Sequence, residues 1–213
     1  MRYYPAYLDL RERPCLVIGG GAVAERKALS LLEAGAAVTI ISPTLTPKLH
    51  QLSDSGKISH IQKMFDDKDL AGEYLVIAAT NSPEVNTHVA QACRMKQVLV
   101  NVAVPPEESS FIVPSVVERG ELLLTVSTSG ASPALTKKIR QNLEGQYGPE
   151  YGLFLSKLSV VRRRAMEEIP DEGRRRMIFQ ALVDSDVLVL LKEGKVHEAD
   201  HRIAEISGLP HRV

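Results

Sequence analysis

The chain has 213 residues, of which 44% are hydrophobic, and its 26 basic and 26 acidic side chains give a formal net charge of zero. This length accommodates a domain of ordinary size with a smaller one beside it, and the balanced charge argues against a protein that binds nucleic acid or another polyanion. Because no apolar run reaches the length of a membrane span and the N-terminus does not resemble a signal peptide, we expect a cytoplasmic protein that crosses no membrane.

A turn of three consecutive glycines follows a short apolar run at residues 15–18, and a segment with helical apolar periodicity begins directly after it. Gly19, Gly21 and Ala24 match the G-x-G-x-x-G/A fingerprint of dinucleotide-binding sites. The first glycine permits the tight turn, the second lets the backbone approach a pyrophosphate, and the small third residue lets the helix pack closely on the strand. The positive end of the helix then faces the phosphates, so the pattern predicts a dinucleotide site.

Apolar strand-like runs and helical segments alternate through the first half of the chain. Gly35 is a typical C-terminal cap for the first helix, and Ser82 with Pro83 is typical of the start of another. The predicted strands are residues 15–18, 38–41, 59–61, 75–80 and 98–102. Strands that alternate with helices in this way predict an α/β fold with a doubly wound parallel sheet of the Rossmann type.

The second predicted strand runs into Ser42, Pro43 and Thr44, where a Rossmann site presents the residue that binds the adenosine ribose. Sites for NAD usually carry Asp or Glu at this point, roughly 20 residues after the glycines. This segment has neither residue, and it has no arginine clearly suited to bind the 2′-phosphate of NADP. We therefore favour NAD over NADP as the cofactor.

Beyond Pro106 the alternation of strands and helices stops. Residues 111–114 and 121–127 are β-like without a full crossover helix between them, and a loop of small residues over 128–133 precedes a helix that we expect to end near residue 143. Further helices are predicted near residues 150–167, 172–183, 184–192 and 195–206. The nucleotide-binding domain is therefore expected to be followed by a short mixed segment and a helical tail.

Several motifs taken together resemble those of one known family. They are Leu8-x-x-Arg11-x-Arg13, the glycine turn with its flanks at 17–27, the small-residue strand end at 78–80, Asn86, Asn101 with Val102, SFIxPS at 110–115 and SxxGxSP at 127–133. Over roughly residues 1–145, the chain is similar to the precorrin-2 dehydrogenase / sirohydrochlorin ferrochelatase module, which forms the N-terminal part of sirohaem synthase. This combination of motifs is much more specific than the glycine fingerprint alone.

The resemblance implies an NAD-dependent oxidation of precorrin-2 to sirohydrochlorin, with Fe²⁺ as a substrate for insertion in the bifunctional members of the family. It also implies a homodimer. The domains would be an NAD-binding Rossmann domain over residues 1–110, a dimerisation segment over 111–147 and a helical domain over 148–213 that helps to cover the tetrapyrrole cleft.

The resemblance also assigns residues to each site. Carried onto this chain, the cofactor site comprises the glycine turn and the ends of the second and fourth strands, namely Gly19, Gly21, Ala22, Val23, Ala24, Ser42, Pro43, Thr44, Ala79 and Thr80. The candidates for contact with the tetrapyrrole are Asn101, Thr128, Ser129 and Lys137. Two alternatives stay open here: Thr128 is suited to closing its own turn, and the arginine runs 162–164 and 174–176 are either solvated helix faces or partners for tetrapyrrole carboxylates.

The chain departs from the family at one position of chemical importance. Where the family has an aspartate thought to act in both reactions, after Asn101, Val102 and a small residue, this chain has Val104. Valine can neither accept a proton nor attract a metal cation. Either Glu107 or Glu108 supplies the carboxylate, or the protein is slow at one or both reactions. The alternative function is a catalytically weakened carrier or regulatory protein that binds NAD and a tetrapyrrole.

Histidine spacing gives little support for a resident metal. His197 and His201 are four residues apart on a predicted helix, which places both imidazoles on one face. No third ligand is in register with them, so we expect a solvated helix face and no metal site.

Overall fold

The structure is a computed structural model and describes residues 3–209. It divides the chain into two compact units, Met1–Val113 and Pro114–Val213. The division into three domains with boundaries near residues 110 and 147 stays a prediction.

The first unit is built on a parallel sheet of five strands. The strands are β1 (Pro14–Ile18), β2 (Ala37–Ile41), β3 (Ser59–Ile61), β4 (Leu75–Ala78) and β5 (Leu99–Val102). The helices between them are α1 (Ala22–Glu33), α2 (Pro47–Asp54) and α3 (Pro83–Met95), with short 3-10 turns at Asp67–Asp69 and Pro106–Glu108. The strand order is β3-β2-β1-β4-β5, and every pairing is parallel, so the predicted Rossmann-type fold is confirmed.

Helices cover both faces of this sheet. Cys15 and Val17 of β1 pack into one core with α1 and α2, whereas Leu16 and Ile18 pack into another with α3. A central strand in a two-sided parallel sheet must be apolar at every position rather than at alternate ones. This requirement explains the continuous apolar run that the sequence shows at 15–18.

The strand register brings three strand ends to the same level. Ile18, the last residue of β1, pairs with Ile41 at the end of β2 and with Ala78 at the end of β4. The loops that follow these three strands therefore emerge side by side along one edge of the sheet. In open α/β sheets this carboxyl edge is where ligands bind.

In the described part of the second unit, up to residue 209, a hairpin is combined with five helices. The elements are β6 (Ser115–Arg119), β7 (Leu122–Val126), α4 (Pro133–Gln146), α5 (Glu150–Glu168), α6 (Glu172–Val183), α7 (Val187–Lys192) and α8 (Val196–Ser207). Helices α5 to α8 share one core, whose fully buried members include Ala165, Leu182, Val187 and Ala199. In α4, by contrast, no residue is buried.

The hairpin contacts the helices through its turn. The Arg119 guanidinium donates to the carbonyls of Tyr147 (2.9 Å) and Glu144 (3.3 Å) in the last turn of α4 and just beyond it. Gly152 of α5 lies so close to this turn that a Cβ there would be 2.9 Å from the Arg119 carbonyl. These contacts fix the antiparallel pair β6 and β7 against α4 and α5.

One predicted strand is wrong in its position. Residues 111–114 were expected to be β-like, but the strand begins only at Ser115. Pro114 has no N–H to donate to a ladder, and the Phe111 carbonyl accepts from the Asn101 side chain at 3.1 Å. The segment before Ser115 is therefore bonded to the edge of the first unit's sheet rather than to β7.

Both cysteines, Cys15 and Cys93, are free and buried. Burial raises the pKa of Cys15 and of Cys93 to about 11, so both thiols stay protonated at neutral pH. Within residues 3–209, no helix is long and apolar enough to cross a membrane.

Candidate nucleotide-binding site

The main cleft of the first unit lies at the carboxyl edge of the sheet. Its volume is about 540 Å³, and the loops after β1, β2, β3 and β4 all contribute to its wall. Of the predicted cofactor residues, those that line it are Gly19, Gly21, Ser42, Pro43, Thr44, Ala79 and Thr80. Ala22 and Val23 line a second, adjoining cleft, which shares Gly21, Ala79 and Thr80 with the first.

Two of the three glycines allow these loops to touch. At Gly19, where φ is +118°, an added Cβ would lie 2.4 Å from the Ala79 carbonyl oxygen. At Gly20, an added Cβ would lie 1.9 Å from the Thr44 carbonyl oxygen. Side chains at these positions would drive the loop after β1 away from the loops after β4 and β2. Gly20 was a variable position in the sequence motif, and its tight contact with Thr44 depends on tertiary structure.

The third glycine instead leaves space. A Cβ added at Gly21 would meet no atom within 4 Å, and Gly21 forms the N-cap of α1 without a side-chain hydrogen bond. Ala22 and Val23 in the first turn are exposed, whereas Ala24 is fully buried against the sheet. An open space in front of an uncapped helix N-terminus fits a pyrophosphate, because the first N–H groups and the helix dipole favour an anion.

The loop at the predicted ribose end is held by internal bonds. The Ser42 hydroxyl donates to the Thr44 carbonyl at 2.7 Å, and the Ser42 side chain is almost fully buried. His60 of β3 bonds to the Ser42 carbonyl at 2.9 Å, and the Gln62 amide donates to the Pro43 carbonyl at 3.2 Å. The backbone of this loop is therefore fixed by β3 and the residues after it.

Asn86 organises the opposite end of the cleft. It is fully buried in α3, and its side-chain oxygen accepts from the Thr80 N–H (3.0 Å) and from the Thr80 hydroxyl (2.8 Å). Its side-chain nitrogen donates to the carbonyls of Thr80 (3.2 Å) and Val104 (3.0 Å). Asn86 thereby ties the end of β4 to the loop after β5. The sequence motifs included Asn86, but they gave it no role.

Val104 lies at the second cleft, whose volume is about 380 Å³. Its side chain is 54% exposed, and its neighbours in the wall include Ala103, Asn86 and Thr80. The position at which the family has its aspartate therefore faces open space beside the predicted nicotinamide side.

The two glutamates proposed as substitutes lie elsewhere on this loop. Glu107 is exposed in the short 3-10 turn, and Glu108 pairs with Arg94 of α3, which also donates to the Glu108 carbonyl at 3.0 Å. Neither Glu107 nor Glu108 lines the wall of either cleft. Their catalytic role stays a prediction.

The predicted tetrapyrrole contacts are divided between the two units. Asn101 is buried in β5, where its amide holds the Phe111 carbonyl. Thr128 accepts from the Ser132 N–H at 3.1 Å and lies 3.0 Å from the Thr136 hydroxyl, so it closes the turn before α4. Ser129 has a φ of +53°, and Lys137 is exposed on α4. Their contact with a substrate stays a prediction.

The histidine pair on α8 is solvated. His197 is exposed, and His201 pairs with Glu205 at 3.4 Å one turn further along the helix. Among residues 3–209, no group of three or more potential metal ligands comes together.

Comparison with known proteins agrees with this architecture. A family model described as "Putative NAD(P)-binding" matches residues 6–115, and one described as "Sirohaem biosynthesis protein central" matches residues 119–146. Siroheme synthase of Thioalkalivibrio sulfidiphilus is 36% identical over 195 residues, covering 92% of this chain and 40% of that protein. Siroheme synthase of Photobacterium profundum is 35% identical over 207 residues, covering 97% of this chain and 44% of that protein. This chain thus spans less than half the length of these relatives.

A solved structure matches along nearly the whole chain. It is "SirC, precorrin-2 dehydrogenase", with a TM-score of 0.79 and 28% sequence identity, and the match covers 95% of this chain and 100% of that one. The range matched by the first family model includes the glycine turn, and the range matched by the second includes β7 and α4. The chain therefore belongs to the family described as putative NAD(P)-binding, and its segment 119–146 matches the central part of sirohaem biosynthesis proteins.

Proposed function

We propose that this protein binds NAD in the cleft of its first unit and oxidises precorrin-2 to sirohydrochlorin. The observation that carries the proposal is the open space at Gly21, in front of the uncapped α1, within a chain of this family. The backbone of Ala22 and Val23 would hold the pyrophosphate, and Ser42, Pro43 and Thr44 would flank the adenosine ribose. Thr80, fixed by Asn86, would lie beside the nicotinamide.

The oxidation removes a hydride and a proton from the macrocycle. The nicotinamide, when bound, supplies the acceptor for the hydride, so this chain must place the substrate carbon against it and provide an outlet for the proton. A side chain that accepts the proton has to lie within hydrogen-bond reach of it or act through one water. Insertion of Fe²⁺, the second reaction of the bifunctional family members, likewise requires loss of pyrrole protons.

A carrier or regulatory protein for the same two ligands is the second candidate function. It is favoured by one observation: among the described residues that line the two clefts there is no Asp, Glu or His. Such a protein would bind NAD and the tetrapyrrole without rapid turnover.

Turnover and binding measurements separate these functions. We expect calorimetric titration to detect NAD binding, and NADH absorbance to rise when precorrin-2 is added in the absence of air. Binding of both ligands without NADH formation would instead support the carrier. Failure to bind NAD at all would contradict both functions.

We further propose a homodimer formed through the segment 111–147. Exposed apolar side chains occur on both the hairpin and α4, including Val116 (44% exposed) and Leu135 (48%). The match to the sirohaem central model covers the same region, at residues 119–146. An exposed apolar surface of this kind is commonly buried against a second copy.

Sedimentation at micromolar concentration should therefore give twice the chain mass of 23.4 kDa. Leu135→Glu should shift the protein toward monomer, since it would place a charge in the interface. Val189→Glu is the matched control, because Val189 is somewhat more exposed (55%) than Leu135 but lies on α7, outside the segment. A wild-type protein that sediments as a monomer would overturn the proposal.

A further inference from the structure

The wall of the main cleft has an unusual charge pattern for an NAD site. Among the described residues that line it, none is acidic, and Lys63 alone carries a charge. Sites that select NAD usually present a carboxylate to the ribose 2′-hydroxyl, and this carboxylate repels the extra phosphate of NADP. We propose that this cleft accepts a 2′-phosphate at Lys63, so that the protein binds NADP as well as NAD.

Ser42 occupies the position of the usual carboxylate and cannot replace it. Its hydroxyl proton is already donated to the Thr44 carbonyl at 2.7 Å, and the side chain is only 6% exposed. A neutral, internally bonded hydroxyl exerts no repulsion on a phosphate. The determinant that would exclude NADP is therefore missing at the end of β2.

The structure holds the segment that carries Lys63 against this ribose loop. The Ser42 N–H donates to the Ile61 carbonyl at 3.3 Å, His60 bonds to the Ser42 carbonyl, and Gln62 donates to the Pro43 carbonyl. Lys63 follows Gln62 directly, and its own N–H donates back to the Ile61 carbonyl at 2.9 Å. These bonds fix the backbone of Lys63 beside the predicted ribose position.

The Lys63 ammonium pairs with Asp69 at 2.5 Å, and its side chain is 44% exposed. Asp69 is only 11% exposed and also accepts from the Asp66 N–H at 2.8 Å. Burial alone would raise the pKa of Asp69, but the hydrogen bonds from Lys63 and Asp66 outweigh it and lower that pKa. Asp69 is thus a carboxylate fixed by two hydrogen bonds, and it holds Lys63 at the cleft wall. A bound 2′-phosphate would compete with Asp69 for the Lys63 ammonium.

This inference deepens the proposed nicotinamide site and rests on it. It also revises the preference for NAD, which considered only the residues at the end of β2. Since lysine binds phosphate as a point charge on a flexible stem, Lys63 needs no bidentate geometry to pair with the 2′-phosphate.

Equilibrium titrations of NAD and NADP test the inference without any turnover. For the wild-type protein we expect the two dissociation constants to agree within about tenfold, with a steeper loss of affinity for NADP as salt rises. Lys63→Gln should weaken NADP binding by about threefold to tenfold and leave NAD binding unchanged, as expected of a half-exposed ion pair to a phosphate. Asp69→Asn should strengthen NADP binding, because it removes the competing carboxylate.

Lys68→Gln is the matched control. It makes the same change of charge five residues along the chain, at a lysine that does not line the cleft. The inference is overturned if NAD binds while NADP does not, or if Lys63→Gln weakens both nucleotides equally. If neither nucleotide binds the wild-type protein, the nicotinamide site itself is wrong and the inference falls with it.

Discussion

Gly21→Asp should abolish binding of the nicotinamide nucleotide while the protein remains fully folded. Gly21 has an extended backbone, with φ of −85° and ψ of −174°, and an added Cβ would meet no atom within 4 Å. Aspartate is also a favoured N-cap residue, so the substitution should leave the free energy of unfolding unchanged or raise it by a few tenths of a kcal/mol. The new carboxylate would, however, occupy the space of the pyrophosphate and repel it.

Calorimetric titration with NAD measures the affinity for the nucleotide, and thermal unfolding of the same sample measures the stability of the fold. We expect no detectable heat of binding and a melting temperature at or slightly above that of the wild type. Unchanged affinity for NAD would show that the pyrophosphate binds elsewhere.

Gly20→Ala, one residue earlier, serves as the contrasting variant, because we expect it to lower the free energy of unfolding. Its new Cβ would lie 1.9 Å from the Thr44 carbonyl oxygen and 2.8 Å from the Ser42 hydroxyl. The Thr44 backbone cannot move aside as the end of a flexible side chain can. We therefore expect a loss of about 1–3 kcal/mol in the free energy of unfolding, as in overpacked cores. A change in stability at Gly20 but not at Gly21 would separate the glycine that closes the turn from the glycine that faces the ligand.

The features that the sequence predicted correctly depend on local spacing. The apolar run at 15–18, the glycine turn and the helix that follows are encoded within about a dozen consecutive residues. Such a pattern specifies a strand, a turn and a helix before any tertiary contact is known. The parallel sheet then follows from the repetition of the same pattern along the chain.

The features that it missed depend on contacts between distant residues. Gly20 is constrained by the Thr44 backbone, and Asn86 bonds to Val104, 18 positions further along the chain. Lys63 enters the cleft only because β3 lies next to β2 in the sheet. Nothing in the spacing of these residues predicts such contacts. The misplaced strand at 111–114 has the same origin, since the Asn101 side chain binds the Phe111 carbonyl.

Val104→Asp should accelerate the oxidation of precorrin-2, and the wild-type enzyme should be slow. Val104 is 54% exposed at the second cleft, and its carbonyl accepts a hydrogen bond from the Asn86 side chain at 3.0 Å. Because this bond fixes the backbone, an aspartate at position 104 would project into the open space of the cleft. A positioned general base typically contributes about 10²–10⁴ in rate, which sets the size of the expected gain. Val104→Asn is the matched control, because it has nearly the same shape as aspartate without the capacity to take a proton.

The competing hypothesis assigns the proton to a glutamate of the following turn. Glu108 is engaged by Arg94, and Glu107 is exposed outside the walls of both clefts, so we expect Glu107→Gln and Glu108→Gln to leave the rate unchanged. Steady-state NADH formation by the wild type and the four variants decides between the two. If either glutamine variant loses the activity while Val104→Asp gains none, the turn has taken over the role of the missing aspartate. If the wild-type enzyme is fast and none of the substitutions changes its rate, neither position 104 nor either glutamate is needed for the proton transfer. The proton acceptor would then lie outside this loop.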